Sequence, residues 1–198
     1  MWLPTTPREW WYIVISGLGF SVWVLVDIPP LANRPGWARG LTLLSALGLA
    51  GVFVLTTVGR TPWPVPQGVR LLGWAGLLVG VGLLVYSTVL EIPLRQRRRR
   101  MLSAHVLVQE GTYALCRHPG ALWMGLFVLG WVLAFPGPEV ARVAASWFVM
   151  ELIVVWIQDR WTLPRRLPGY TLYQRTTPFL IPTRASLKAA WHTWRRRP

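Results

Sequence analysis

The sequence contains one cysteine, only seven acidic residues and few charged residues of any kind. A single cysteine excludes a disulfide within the chain. Charged residues make up 14% of the chain, whereas soluble domains are closer to roughly a quarter charged. The sequence also lacks a P-loop, a zinc ligand set, a nucleophile elbow and a dinucleotide-binding glycine motif. These absences favour a membrane protein, and they exclude the common cofactor sites of soluble enzymes.

Hydrophobic residues and arginines dominate what is present. Hydrophobic residues make up 53% of the chain, and the 14 tryptophans suit the headgroup level of a bilayer. The formal net charge is +14. Nucleic-acid binders seldom carry several long apolar runs, so this charge indicates anionic lipid headgroups as partners and no nucleic acid.

Five apolar runs are candidates for helices that cross the bilayer, which takes about 20 residues. These runs are 10–28, 41–58, 71–90, 121–135 and 140–157. We expect the first run to be retained, since no small-residue cleavage site follows it. The sequence therefore predicts an all-α membrane protein with about five transmembrane helices, the last two forming a short hairpin.

Arginine-rich segments predict the orientation of these helices. Loop 91–120 and tail 159–198 carry most of the arginines, so both are expected on the cytoplasmic side of the cell membrane, with the N-terminus outside. The run 95–100 is interpreted as a headgroup anchor or as a clamp on an anionic lipid substrate. Within 183–198, Leu187, Ala190, Trp191 and Trp194 have the spacing of an amphipathic surface helix.

A short polar segment, 110–120, separates the arginine run from the fourth apolar run. It contains Cys116, Arg117 and His118, followed by Pro119 at the expected helix start. A histidine at this interface is interpreted either as structural or, together with the arginine, as part of a binding site. The cysteine has no evident Asp or Asn partner, so a cysteine nucleophile is disfavoured.

Polar or small residues inside the apolar runs are further candidates. Glu151 costs roughly 2.5–3.5 kcal/mol to insert, so it is expected to face protein or water, either fixing helix packing or serving a site. Gln158 is about two helical turns further on, beside Asp159. Gly80 and Gly82 indicate close helix packing or contact with a flat ligand.

Loop and tail together resemble the integral-membrane methyltransferase superfamily of isoprenylcysteine carboxyl methyltransferase and phosphatidylethanolamine N-methyltransferase. The resemblance covers about residues 75–182. It is carried by a Gly-x-Tyr-x-x-x-Arg-His-Pro string, a short helical hairpin and a Leu-Pro-Gly-Tyr-x-x-Tyr tail. The matching positions are Gly111, Tyr113, Arg117, His118, Pro119, Tyr170 and Tyr173.

This resemblance implies a cytoplasmic-side pocket for S-adenosyl-L-methionine, formed by loop 101–120, the hairpin and the tail. The implied cofactor-binding residues are Tyr113, His118, Pro119, Gln158, Asp159, Tyr170, Tyr173, Gly80 and Gly82. Ala121 and Gln158 stand where the family often has tyrosine and glutamate. The implied domains are a two-span region 1–70, a methyltransferase-like core 71–182 and a basic interfacial helix 183–198.

The implied reaction is in-line methyl transfer to a membrane lipid substrate. For a carboxylate acceptor, Arg117 is the expected orienting group. For an amine acceptor, Glu151 or Asp159 is the expected base. Two other functions stay open: a non-catalytic membrane protein that binds a lipid or a partner, and a nicotinamide-dependent reductase of the related sterol reductase type.

Overall fold

Helices are the only regular elements within the residues that the computed structural model describes, which are 7–26, 35–98 and 107–195. In chain order they are α1 (Pro7–Leu25), α2 (Pro35–Val58), α3 (Gln67–Val85), α4 (Ile92–Arg98), α5 (Thr112–Leu115), α6 (Pro119–Ala134), α7 (Pro138–Ile157), α8 (Leu163–Arg166), α9 (Tyr170–Thr176) and α10 (Arg184–Arg195). Two π-helical turns, Tyr86–Glu91 and Gln158–Thr162, join α3 to α4 and α7 to α8. The predicted all-α class is therefore confirmed.

Three helical stretches in the described part of the chain are long and apolar enough to cross a membrane. They are Gly36–Val58, Gln67–Arg95 and Pro138–Arg166. Helix α6 is apolar but shorter. Large apolar side chains lie on the outside of α2, where Leu44 and Leu47 are 68% and 71% exposed. An outer surface of this kind on helices of this length is typical of a membrane protein.

Contacts between adjacent helices show that the long helices alternate in direction along the chain. Ile15 of α1 lies next to Gly48 of α2, and Gly19 further along α1 accepts from Ser45, which is earlier on α2, so these helices run antiparallel. Helices α1 and α7 run parallel, since Arg142 donates to Glu9 near both helix starts and Trp147 donates to Ser16 further along. One end of the bundle therefore carries the starts of α1, α3 and α7. The opposite end carries segment 107–118 and the tail.

Backbones of α3 and α6 approach each other closely. A Cβ placed on Gly80 would lie 2.6 Å from the Phe127 nitrogen, and one on Gly130 would lie 2.2 Å from the Leu77 nitrogen. Small residues permit such contacts between membrane helices. Of the two interpretations of Gly80, helix packing is the one that fits.

Aromatic residues at the centre of the bundle hold α7 in place. Trp131 is fully buried, and its ring centroid lies 5.3 Å from that of Trp147. The Trp131 indole donates to the Thr57 hydroxyl over 2.8 Å, and the Trp147 indole donates to the Ser16 hydroxyl over 2.7 Å. No water is present in a bilayer core to satisfy these groups. The paired indoles therefore set the rotation of α7, which carries Glu151 and leads into Asp159.

Candidate functional site

Asp159 is the centre of a buried polar cluster that joins loop, helix and tail. It sits on the π-helical turn after α7 and is 6% exposed. Arg117 donates to both its oxygens, over 2.8 and 3.0 Å. The Tyr170 hydroxyl donates to Oδ1 over 2.7 Å, His118 Nε2 lies 3.1 Å from the same atom, and Gln174 donates to Oδ2 over 3.2 Å. Because a carboxylate only accepts, Nε2 carries a proton in this contact.

Most N–H groups of the Arg117 side chain donate to acceptors within the protein. Besides its contacts with Asp159, Nη1 donates to the carbonyl oxygens of Gln174 and Thr177, over 2.8 and 2.7 Å. Its backbone nitrogen donates to the Pro178 carbonyl, and its guanidinium carbon lies 5.7 Å from the Phe179 ring centroid. One of the five N–H groups of the side chain is left after these contacts. The expectation that Arg117 orients an acceptor carboxylate through its fork does not fit this geometry.

A second buried carboxylate, Glu91, holds the start of the same loop. It is fully buried and accepts from the Thr112 backbone nitrogen over 3.1 Å, from the Thr112 hydroxyl and from Arg95 over 2.9 Å. Gly111 has φ +65°, and a Cβ there would lie 1.8 Å from Glu91 Oε1. Sequence analysis did not single out Glu91, which directly follows the third apolar run. The i,i+4 spacing of Glu91 and Arg95 is the signal that pointed to it.

Arg95 is the one member of the predicted arginine run whose side chain lies within the described residues. It bonds Glu91 and also Glu110, at 3.2 Å. This arginine therefore supports the loop. The side chains of Arg97–Arg100 lie outside the described residues, as does segment 101–106 of the predicted pocket loop.

Two tyrosines tie the tail to the loop and to the end of α3. The Tyr173 hydroxyl donates to the Tyr113 carbonyl over 2.6 Å, and the Tyr113 hydroxyl donates to the Ser87 carbonyl over 3.1 Å. Burial raises the pKa of both phenols well above the usual value. Both hydroxyls therefore stay protonated at neutral pH and act as donors.

A cavity of about 330 Å³ lies where segment 107–121, α7 and the tail meet. This volume falls in the range of small-molecule sites. Its lining includes eight predicted site residues: Tyr113, Arg117, His118, Pro119, Glu151, Gln158, Tyr170 and Tyr173. Asp159 lies behind this wall, bonded to three of them. The fold thus brings together residues from three separate segments of the chain.

Besides Asp159, two predicted cofactor residues, Gly80 and Gly82, are absent from the lining of this cavity among the described residues. Gly80 is buried against Phe127 of α6, and a Cβ on Gly82 would meet nothing within 4 Å. The two positions are two residues apart on a helix, so they face about 200° apart and cannot share one pocket wall. The contact of these two glycines with a cofactor stays a prediction that the cavity lining does not support.

Glu151 lies in the cavity wall on α7. It is 5% exposed, and its Oε2 has no hydrogen-bond partner among the described residues. The neighbouring lining residues on the same helix are Val154 and Val155. A carboxyl group left this way in an apolar wall is costly to ionise unless a ligand provides its partner.

The tail ends in α10, which contacts the loop. The Gly111 backbone nitrogen donates to the Thr193 hydroxyl over 3.0 Å. Ala190 is buried, whereas Leu187 and Trp191 are 52% and 53% exposed. The amphipathic helix predicted here is present, with a protein-facing side and an apolar outer side; the Trp194 side chain lies outside the described residues.

Cys116 is expected to be unreactive in the folded protein. It is fully buried, and burial raises the pKa of its thiol to about 11, against the opposing effect of the Arg117 charge. At pH 8 about 0.1% is then thiolate, the form that reacts. Iodoacetamide labelling followed by mass spectrometry should give no adduct until the protein is denatured. Rapid labelling of the native protein would contradict the buried position.

The same pKa shift predicts a loss of stability in alkali. An unfolded chain loses the thiol proton near pH 9, whereas the folded chain keeps it to about 11. Stability is therefore complete below pH 9 and falls as pH rises through this window. Melting temperatures of wild type and Cys116→Ala at pH 8 and 10.5 measure it. The melting temperature of the variant should fall less between these two pH values than that of wild type. Equal falls would assign the loss of stability to the buried tyrosines alone.

Together these contacts form a network of hydrogen bonds behind the cavity wall. Within the described part of the chain, Glu151 Oε2 is the acidic oxygen of this wall that has no partner. The network orients His118 and Tyr170, which contact each other and line the cavity. Such an arrangement is suited to positioning a ligand rather than to attacking it. No protein-family model, curated protein or solved structure matches the chain.

Proposed function

We propose that this protein is an integral-membrane methyltransferase that uses S-adenosyl-L-methionine to methylate a lipid or lipid-modified acceptor. The observation that carries this proposal is the cavity between loop, α7 and tail, lined by residues of the Arg-His-Pro string and by the tail tyrosines. These segments are far apart in sequence. Their convergence on one cavity supports the resemblance from which the function was inferred.

The lining residues fit such a cofactor chemically. Tyr113, His118 and Tyr170 offer ring faces and edges for a flat base, and Gln158 offers an amide. When bound, the cofactor supplies an electrophilic methyl group on a sulfonium. Asp159 keeps His118 and Tyr170 in position from behind.

The proposed setting is a five-span protein of the cell membrane, with N-terminus outside and C-terminus cytoplasmic. The alternating helices place the cavity at the end of the bundle that carries the basic loop and tail, which supports this orientation. Anionic lipid headgroups are the proposed partners of this basic end. Leu187 and Trp191 on the outer side of α10 are suited to the interface.

The chain's own contribution to the reaction is alignment and exclusion of water. The paired Arg117 and Asp159 are positioning residues, because their contacts hold His118 and the tail in place. A lipid acceptor reaches the cavity from the bilayer with its reactive atom in line with the methyl group. Holding both reactants in this way accounts for much of a methyl-transfer enzyme's rate enhancement.

Titration of S-adenosyl-L-methionine into the nanodisc-embedded protein tests the function. Wild type should bind one equivalent, and His118→Ala should weaken binding about tenfold or more, since it removes a cavity wall and a partner of Asp159. His192→Ala is the matched control, because His192 is exposed on α10. Absence of binding by folded wild type would refute the proposal, and a nicotinamide cofactor would then be titrated.

A further inference from the structure

Glu151 is the only acidic residue among the described residues that line the cavity. It is buried, and its Oε2 has no hydrogen-bond partner in the described part of the chain. The cavity wall beside it is formed by Val154, Val155 and Trp23. Because bare insertion of an acidic residue is unfavourable, its presence in such a membrane position indicates a functional site.

Within the described part of the chain, every other charged group at the cavity already has partners in the protein. Asp159 already accepts from Arg117, Tyr170 and Gln174, so it has no capacity to take a proton from a substrate. Most N–H groups of the Arg117 side chain already donate to Asp159 and to two tail carbonyls. Among the described residues that line it, the cavity therefore provides no cationic fork for a carboxylate, but it provides a carboxylate for an amine.

Glu151 and Asp159 lie at different depths along α7 and the turn that follows it. Glu151 precedes Asp159 by eight residues, which is about 12 Å along a helix axis. The Asp159 cluster orients the loop and tail residues at the end of the bundle, whereas Glu151 lies deeper in the apolar span. A two-substrate site needs this separation, with one region for the cofactor and one for the acceptor.

We propose that Glu151 receives the amino group of the acceptor and takes its proton, so that the substrate class is a lipid-borne amine. This inference rests on the methyltransferase function proposed above. The ammonium group first gives a proton to the Glu151 carboxylate. The freed nitrogen lone pair then bonds the methyl carbon while the S–C bond breaks, and its electron pair stays on sulfur as a neutral thioether. The proton passes from Glu151 to solvent before the next turnover.

Transfer of labelled methyl groups in nanodiscs tests this assignment. The amine probes are phosphatidylethanolamine and sphingosine, and the carboxylate probe is S-farnesylcysteine. Wild type should label an amine probe and leave the carboxylate probe unlabelled. Glu151→Gln should lower kcat at least about 100-fold with cofactor affinity within about twofold, and Glu151→Asp should restore part of kcat. Glu139→Gln, at the opposite end of α7 with its oxygens on Thr61, is the control expected to keep full activity.

Each other outcome overturns the assignment in a recognisable way. Labelling of S-farnesylcysteine, or cofactor binding without transfer to either amine, would reject the amine class. Wild-type kcat in Glu151→Gln would remove the residue from the chemistry. Loss of cofactor affinity in Glu151→Gln would assign the carboxylate to a cationic group of the cofactor instead. Failure of wild type to bind the cofactor would refute the methyltransferase function itself. The cofactor titration described above measures this binding independently of methyl transfer.

Discussion

Asp159→Ala is expected to release the tail from the loop and to lower the free energy of unfolding by about 3–5 kcal/mol. The substitution leaves the buried guanidinium of Arg117 without its counter-charge and removes the acceptor of the Tyr170 hydroxyl. Removing one partner of a buried pair costs far more than the pair contributes, because the remaining charge stays desolvated. A thiol-reactive dye measures the effect, since the single cysteine, Cys116, becomes accessible on unfolding.

Two further variants test whether the loss of stability comes from the charge and contacts of Asp159. Asp159→Asn keeps one acceptor oxygen but loses the charge, so its melting temperature should fall between those of Asp159→Ala and wild type. Glu139→Ala, on α7 with exposed bonds to Thr61, should cost no more than about 1 kcal/mol. A wild-type melting temperature for Asp159→Ala would show that the tail is held by other contacts.

Gly80→Ala is expected to destabilise the protein by about 1–3 kcal/mol. The added Cβ would lie 2.6 Å from the Phe127 nitrogen and 2.8 Å from its Cα, and neither backbone atom moves without separating α3 from α6. Because α6 begins at Pro119, this separation also displaces the cavity wall next to His118. Melting in detergent and cofactor binding should therefore both decline in this variant.

Gly82→Ala on the same helix is the matched control. Its Cβ would meet nothing within 4 Å, so stability should change by less than about 1 kcal/mol, and cofactor affinity should stay at the wild-type value. Loss of cofactor binding in Gly82→Ala, with melting unchanged, would restore the role that the family resemblance implied for this glycine.

Much of the architecture followed from hydrophobic pattern. Apolar runs of about 20 residues in a chain with few charges leave helix as the one conformation that satisfies every backbone group in lipid. The predicted run 140–157 corresponds closely to α7, Pro138–Ile157. Proline placement helped, because Pro119 and Pro138 stand in the first turns of α6 and α7, as the missing N–H permits. The predicted run 71–90 was shorter than the helix, which starts at Gln67 and continues through a π-helical turn.

The Arg-His-Pro string and the tail tyrosines could also be found from sequence, because their spacing is local. Their partners could not. Arg117 and Asp159 are 42 residues apart, and Thr112 and Glu91 are 21 apart. No periodicity indicates which buried carboxylate meets which donor over such distances.

By itself, then, the sequence determined the helices, their apolar outer surfaces and the polar segment between α4 and α6. Tertiary structure alone decided what each special residue does. Gly80 packs against α6 and Gly82 points away from it, because residues two positions apart on a helix face nearly opposite directions. Asp159 accepts from several donors, whereas Glu151 Oε2 has no partner among the described residues, because the loop and tail fold over the end of α7 and leave its deeper face to the cavity.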